Sequence, residues 1–86
     1  MTGKRILYIE DNSDNRLLIK RVLEAEGYTV VEAETGVKGL ELAASIQPDL
    51  VLMDINLPEI DGYECTQRLR KVPGGDKIPI IALTAN

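Results

Sequence analysis

Four short apolar runs, each separated from the next by a stretch with helical spacing, constrain this chain more than any other feature. They lie at Arg5 to Glu10, Thr29 to Ala33, Leu50 to Asp54 and Ile78 to Leu83. Segments such as ILYI and LVLM are apolar without interruption, the pattern of a strand covered on both faces. Between the first two runs, Ser13 or Asp14 is placed to cap a helix whose core stripe is Leu17, Leu18, Val22 and Leu23, ending at Gly27. Thr35 caps a second helix with Val37, Leu40, Leu42, Ala43 and Ile46 on its apolar side, and Pro48 limits it. Pro58, Asp61 and Gly62 mark the loop before a third helix, from which Tyr63, Thr66 and Leu69 face inward and pack on the sheet. Val72 to Lys77, with Pro73, Gly74 and Gly75, forms a loop before the last run. The order βαβαβαβ calls for a parallel sheet covered by helices on both faces through right-handed crossovers.

The chain's 86 residues leave room for one domain and one core, spanning residues 1–86. Phe and Trp are absent, so Leu, Ile and Val must fill that core. The net charge of -4 is spread without a long single-sign run, which argues against direct nucleic-acid binding. Histidine is absent, which excludes histidine-dependent zinc sites, Ser-His-Asp triads and a phosphohistidine carrier. The single cysteine, Cys65, reads as a buried helix residue, and with no secretory signal it fits a reducing cytoplasm. No run approaches the roughly 20 apolar residues that cross a bilayer, so no membrane partner is expected.

Acids stand where turn residues are usual. Glu10 and Asp11 close the first run, Asp54 closes the third, and Thr84 follows the fourth. In an open parallel sheet, ligands bind beyond the carboxyl ends of the strands. If the first and third strands are neighbours, about 4.8 Å apart, the three carboxylates reach one ion. Three clustered negative charges repel one another unless a cation neutralises them. Magnesium suits such a site, because it takes one or two carboxylates, keeps several waters and completes its octahedron with phosphate oxygens.

These elements resemble the receiver domain of two-component response regulators. The resemblance is carried by IED with Glu10 and Asp11, LVLMDINLP with Asp54, Asn56 and Pro58, the pair Asp61 and Gly62, and LTA with Thr84 and Ala85. Any one of them is weak, but their joint order and spacing are specific. The resemblance implies a flavodoxin-like, doubly wound α/β fold with strand order 2-1-3-4. It implies that Asp54 accepts a phosphoryl group from a histidine kinase or histidine phosphotransfer protein. Asp11, Asp54 and the backbone carbonyl of Asn56 would ligate Mg²⁺, and Glu10 would act through a bound water. Thr84 would hydrogen-bond the phosphoryl group as a switch, and Ala85 would leave space beside it. The chain is then a signalling module whose only catalysis is its own phosphorylation and dephosphorylation.

Asn56 and Pro58 also fit a plain turn. Gly36 and Gly39 lack the lysine and spacing of a phosphate loop. A hydrolase with an aspartyl nucleophile is the weakest reading, since phosphatases of the haloacid dehalogenase type carry a second acid where this chain has Asn56. The family continues with a further helix, a fifth strand ending in a lysine that pairs with the phosphoryl group, and a last helix. Lys77 precedes the fourth strand and cannot stand in for that lysine. The sequence is therefore expected to be a receiver truncated after the fourth strand. Its exposed fourth-strand edge is expected to promote homo-oligomers, by edge pairing or by element exchange.

Overall fold

A computed structural model describes residues 3–54, 57 and 62–83. Four parallel strands, β1 (Arg5–Ile9), β2 (Thr29–Ala33), β3 (Leu50–Asp54) and β4 (Ile80–Leu83), form one sheet in the order β2-β1-β3-β4. This is the flavodoxin-like order expected. The helices are α1 (Ser13–Ala25), α2 (Gly36–Ile46) and α3 (Gly62–Leu69), and a short 3-10 turn, Gly75–Lys77, precedes β4. Among the described residues, no helix is long and apolar enough to cross a membrane.

Register assigns the two faces of the sheet. Leu7 pairs with Val31 and Val51, Ile9 with Ala33 and Met53, and Val51 with Ile80. Successive side chains alternate, so these residues share one face. With Ala43, Leu57, Cys65 and Leu69 they make the main core, and α2 and α3 cover it. The approach of α2 is close: a Cβ at Gly39 would overlap Ile9 Cδ1 and lie 2.7 Å from Ile9 Cγ1. Gly39 is thus a packing glycine, and Gly36 is buried beside it in the first turn of α2.

The opposite face carries Ile6, Tyr8 and Val30, all buried beneath α1. Here the core stripe read from the sequence needs correction. Leu17, Leu18 and Val22 are 49%, 60% and 52% exposed, and no residue of α1 is fully buried. The residues turned toward the sheet are Arg16, Ile19, Lys20 and Leu23, all half-buried and spaced three and four apart. Lys and Arg lay their aliphatic stems on apolar surface while the charged ends reach water, so they occupy an inward stripe that an apolar count overlooks. Val37 of α2 is likewise half exposed.

Other boundaries shift for identifiable reasons. Asn12, rather than Ser13 or Asp14, caps α1: its side chain accepts the Asn15 N–H at 2.9 Å. Thr35 caps α2 as expected, accepting the Lys38 N–H at 3.0 Å. Strand β4 begins at Ile80 instead of Ile78, because the Ile78 carbonyl accepts Arg70 Nη1 at 2.6 Å and Pro79 has no N–H to give. In α3 the inward residues are Cys65 and Leu69, four apart, whereas Tyr63 is 75% exposed and does not pack on the sheet.

Candidate metal centre

Backbone pairing alone brings the distant acids together. Strands β1 and β3 are hydrogen-bonded neighbours, and Ile9 lies opposite Met53, so the next residue on each side, Glu10 and Asp54, emerge together at the carboxyl rim. Asp11 follows on the exposed turn. One carboxylate oxygen from each of Glu10, Asp11 and Asp54 lies within 4.8 Å of the others. Glu10 and Asp54 are 4% and 6% exposed, so water screens their charges poorly.

The Glu10 carboxylate is held at both oxygens. Asn12 N–H donates to Oε2 at 3.1 Å, and the Tyr8 hydroxyl donates to Oε1 at 3.4 Å. Burial pushes the Glu10 carboxyl above its ordinary range. The Asn12 N–H opposes that shift, and the charge of Asp54 adds to it. Burial also pushes the Tyr8 hydroxyl up to about 12, reinforced by the charge and hydrogen bond of Glu10. The turn is pinned from α1, where Arg16 Nη1 donates to the Glu10 carbonyl at 2.7 Å and Nη2 lies 3.9 Å from Glu34. The Glu10 N–H meanwhile donates to the Ala33 carbonyl at 2.9 Å, extending the β1–β2 ladder one residue past β1.

A pocket of about 150 Å³ opens beside the cluster, lined by Tyr8, Glu10, Asp54 and Leu83 from the sheet side and by Asn15, Leu18 and Ile19 from α1. All the oxygen donors here are hard, and the set of three carboxylates fits a small divalent cation better than a soft metal. Asn56, Thr84 and Ala85, with Pro58 and Asp61, lie outside the described residues. Three residues of the site were not read from the sequence: Tyr8, Asn12 and Arg16. Tyr8 left a signal, a hydroxyl inside an otherwise apolar strand, which must find a partner when buried.

Comparison with known proteins accords with this geometry. Residues 6–86 match the profile of the response regulator receiver domain. The chain is 44% identical over 84 residues to the hybrid signal transduction protein dokA of Dictyostelium discoideum, covering 96% of this chain and 5% of that protein. It is 42% identical over 82 residues to the polar-differentiation response regulator DivK of Brucella ovis, covering 95% of this chain and 67% of DivK. Among solved structures, the receiver domain of the sensor histidine kinase PA1611 from Pseudomonas aeruginosa superposes with a TM-score of 0.92 at 40% identity, over 99% of this chain and 70% of that one. That structure is described with a magnesium ion coordinated in its active-site cleft. The chemotaxis protein CheY4 of Vibrio cholerae gives a TM-score of 0.93 at 26% identity, over 99% of this chain and 71% of its own. By its fold, its rim of acids and these matches, the chain belongs to the response regulator receiver domain family.

Proposed function

We propose that this chain is a phosphoacceptor module of a two-component phosphorelay, receiving on Asp54 a phosphoryl group from a histidine kinase or histidine phosphotransfer protein in a Mg²⁺-dependent reaction. The observation that carries the reading is the placement of Asp54. It ends an interior strand, is 6% exposed, and lies at the rim within 4.8 Å of the carboxylates of Glu10 and Asp11. The magnesium described for the Pseudomonas receiver supports the same use of this oxygen set.

Bound magnesium supplies charge neutralisation and alignment of the phosphoryl oxygens, the dominant needs of phosphoryl transfer. Asp11 and Asp54, with the Asn56 carbonyl, are assigned as its ligands, and Glu10 acts through a bound water. The rest is done by the chain. An Asp54 carboxylate oxygen bonds to phosphorus, the N–P bond of the donor phosphohistidine breaks, and the departing imidazole nitrogen takes up a proton. These 86 residues contain no histidine, so the donor lies outside them. Burial of Asp54 leaves the rim as the side of approach. Thr84 is assigned to a phosphoryl oxygen, and Ala85 to the space beside it. A single cysteine, the buried Cys65, suits a cytoplasmic setting.

Incubation with MgCl₂ and acetyl phosphate, read by intact mass, is expected to add one phosphoryl group that Asp54→Asn abolishes. Undiminished labelling of Asp54→Asn would remove Asp54 from the mechanism. One observation favours a second reading, in which the chain assembles with itself: among the described residues β4 is an edge strand of the sheet, carries no charge, and leaves Ile81 48% exposed. Two copies paired edge to edge through β4 would continue the sheet. Light scattering over a wide concentration range tests this, and a monomer throughout rejects it.

A further inference from the structure

We infer that Tyr8 is a positioning residue for the metal site: its hydroxyl sets the orientation in which the Glu10 carboxylate serves a divalent cation, and its ring reports when the cation is bound. The inference deepens the proposed function and rests on that reading only for the identity of the cation. Tyr8 lies in β1 and Glu10 extends its ladder by one residue, so the two, two residues apart, point to the same face. Tyr8 is 2% exposed, and its hydroxyl is 3.4 Å from Glu10 Oε1. With the Asn12 N–H on Oε2, each oxygen of Glu10 is tied to one donor. The two contacts fix the carboxylate in direction from both sides.

Packing alone does not account for the hydroxyl. The buried neighbours on this face, Ile6 and Val30, are aliphatic, and a phenylalanine would fill the same volume. Outer groups that orient metal-serving carboxylates typically change affinity by about 10-fold or more when removed. Tyr8 also lines the pocket that contains Asp54, so a cation arriving there alters the field at its phenol. The chain has no tryptophan, which leaves tyrosine emission readable, and the other two tyrosines are Tyr28 and Tyr63.

The test is a calorimetric MgCl₂ titration of the chain and of Tyr8→Phe, with metal-free urea midpoints measured alongside. The expected result is affinity weakened about 10-fold in Tyr8→Phe, which retains the ring and hence the packing. Equal or tighter binding by Tyr8→Phe overturns the inference. A second measurement does not depend on that variant folding: MgCl₂ is expected to change the emission of a Tyr28→Phe/Tyr63→Phe chain, and an unchanged spectrum at saturation overturns it. Phosphorylation at Asp54 with Tyr8-independent Mg²⁺ binding would defeat this inference alone. Tyr8-dependent binding without phosphorylation would defeat the phosphoacceptor reading alone.

Discussion

Replacing Asp54 by Asn should make the metal-free protein more stable while removing its response to magnesium. The carboxylate oxygens lie no more than 4.8 Å apart, and two unit charges at that limit repel by about 3.5 kcal/mol at an effective dielectric near 20 and about 0.9 kcal/mol in bulk water. Glu10 is buried with Asp54, which places that pair toward the higher figure, while Asp11 is exposed and lies toward the lower. The raised affinity of Glu10 for a proton relieves part of the repulsion, since a protonated carboxyl carries no charge. A gain of about 1 to 3 kcal/mol at neutral pH and low salt is therefore expected for Asp54→Asn. Magnesium at about 100 times its dissociation constant should stabilise the unmodified chain by about 2.7 kcal/mol, closing the gap. Urea melts followed by circular dichroism, across a MgCl₂ series at constant ionic strength, measure both effects. A destabilised Asp54→Asn that still gained as much from magnesium as the parent would refute the electrostatic account of the rim.

The raised Glu10 value sets a pH dependence, because the folded state holds that proton more tightly than the unfolded chain does. The associated stability is complete below the ordinary value of 4.5 and is lost as pH rises through the folded value. Metal-free melts of the parent against Glu10→Gln should show the difference growing upward from pH 4.5, with the slope abolished by magnesium. Tyr8 acts in the alkaline range: a rise from 10.0 to about 12 corresponds to about 3 kcal/mol lost as pH climbs through that window. Alkaline melts of Tyr8→Phe should lack that loss. Gly39→Ala should destabilise by about 1 to 2 kcal/mol, because overpacking against Ile9 outweighs the gain in helix propensity. In an Ile9→Ala background the same change should turn stabilising. Asn12→Ala should cost about 1 kcal/mol through loss of the α1 cap.

The strands were the most legible part of the sequence. Thr29–Ala33 and Leu50–Asp54 match the apolar runs at both ends, because β-branched or continuous apolar segments bounded by turn residues have few alternatives. Convergence of Glu10, Asp11 and Asp54 was legible for a related reason: a parallel sheet puts every strand's carboxyl end on one rim. The first helix is less legible, because apolar residue type alone does not mark its inward side. In the fold, Leu17, Leu18 and Val22 flank that side, while Arg16 and Lys20 share it with Ile19 and Leu23. The start of α1 was ambiguous because residues 12 through 15 are all polar and able to cap. The Tyr8 contact depends on a side-chain direction that strand periodicity allows and only packing selects.

Glu10 and Asp54 continue two hydrogen-bonded neighbouring strands, with Ile9 opposite Met53 immediately behind them. Their anchor points cannot drift apart as those on a flexible loop would, so the tension between them has no mechanical outlet. Any relief must be chemical: a proton, an ion, or a covalent change at one carboxylate. A rim built this way is a charge gauge, stiff enough that altering one unit of charge is felt along both strands that carry it.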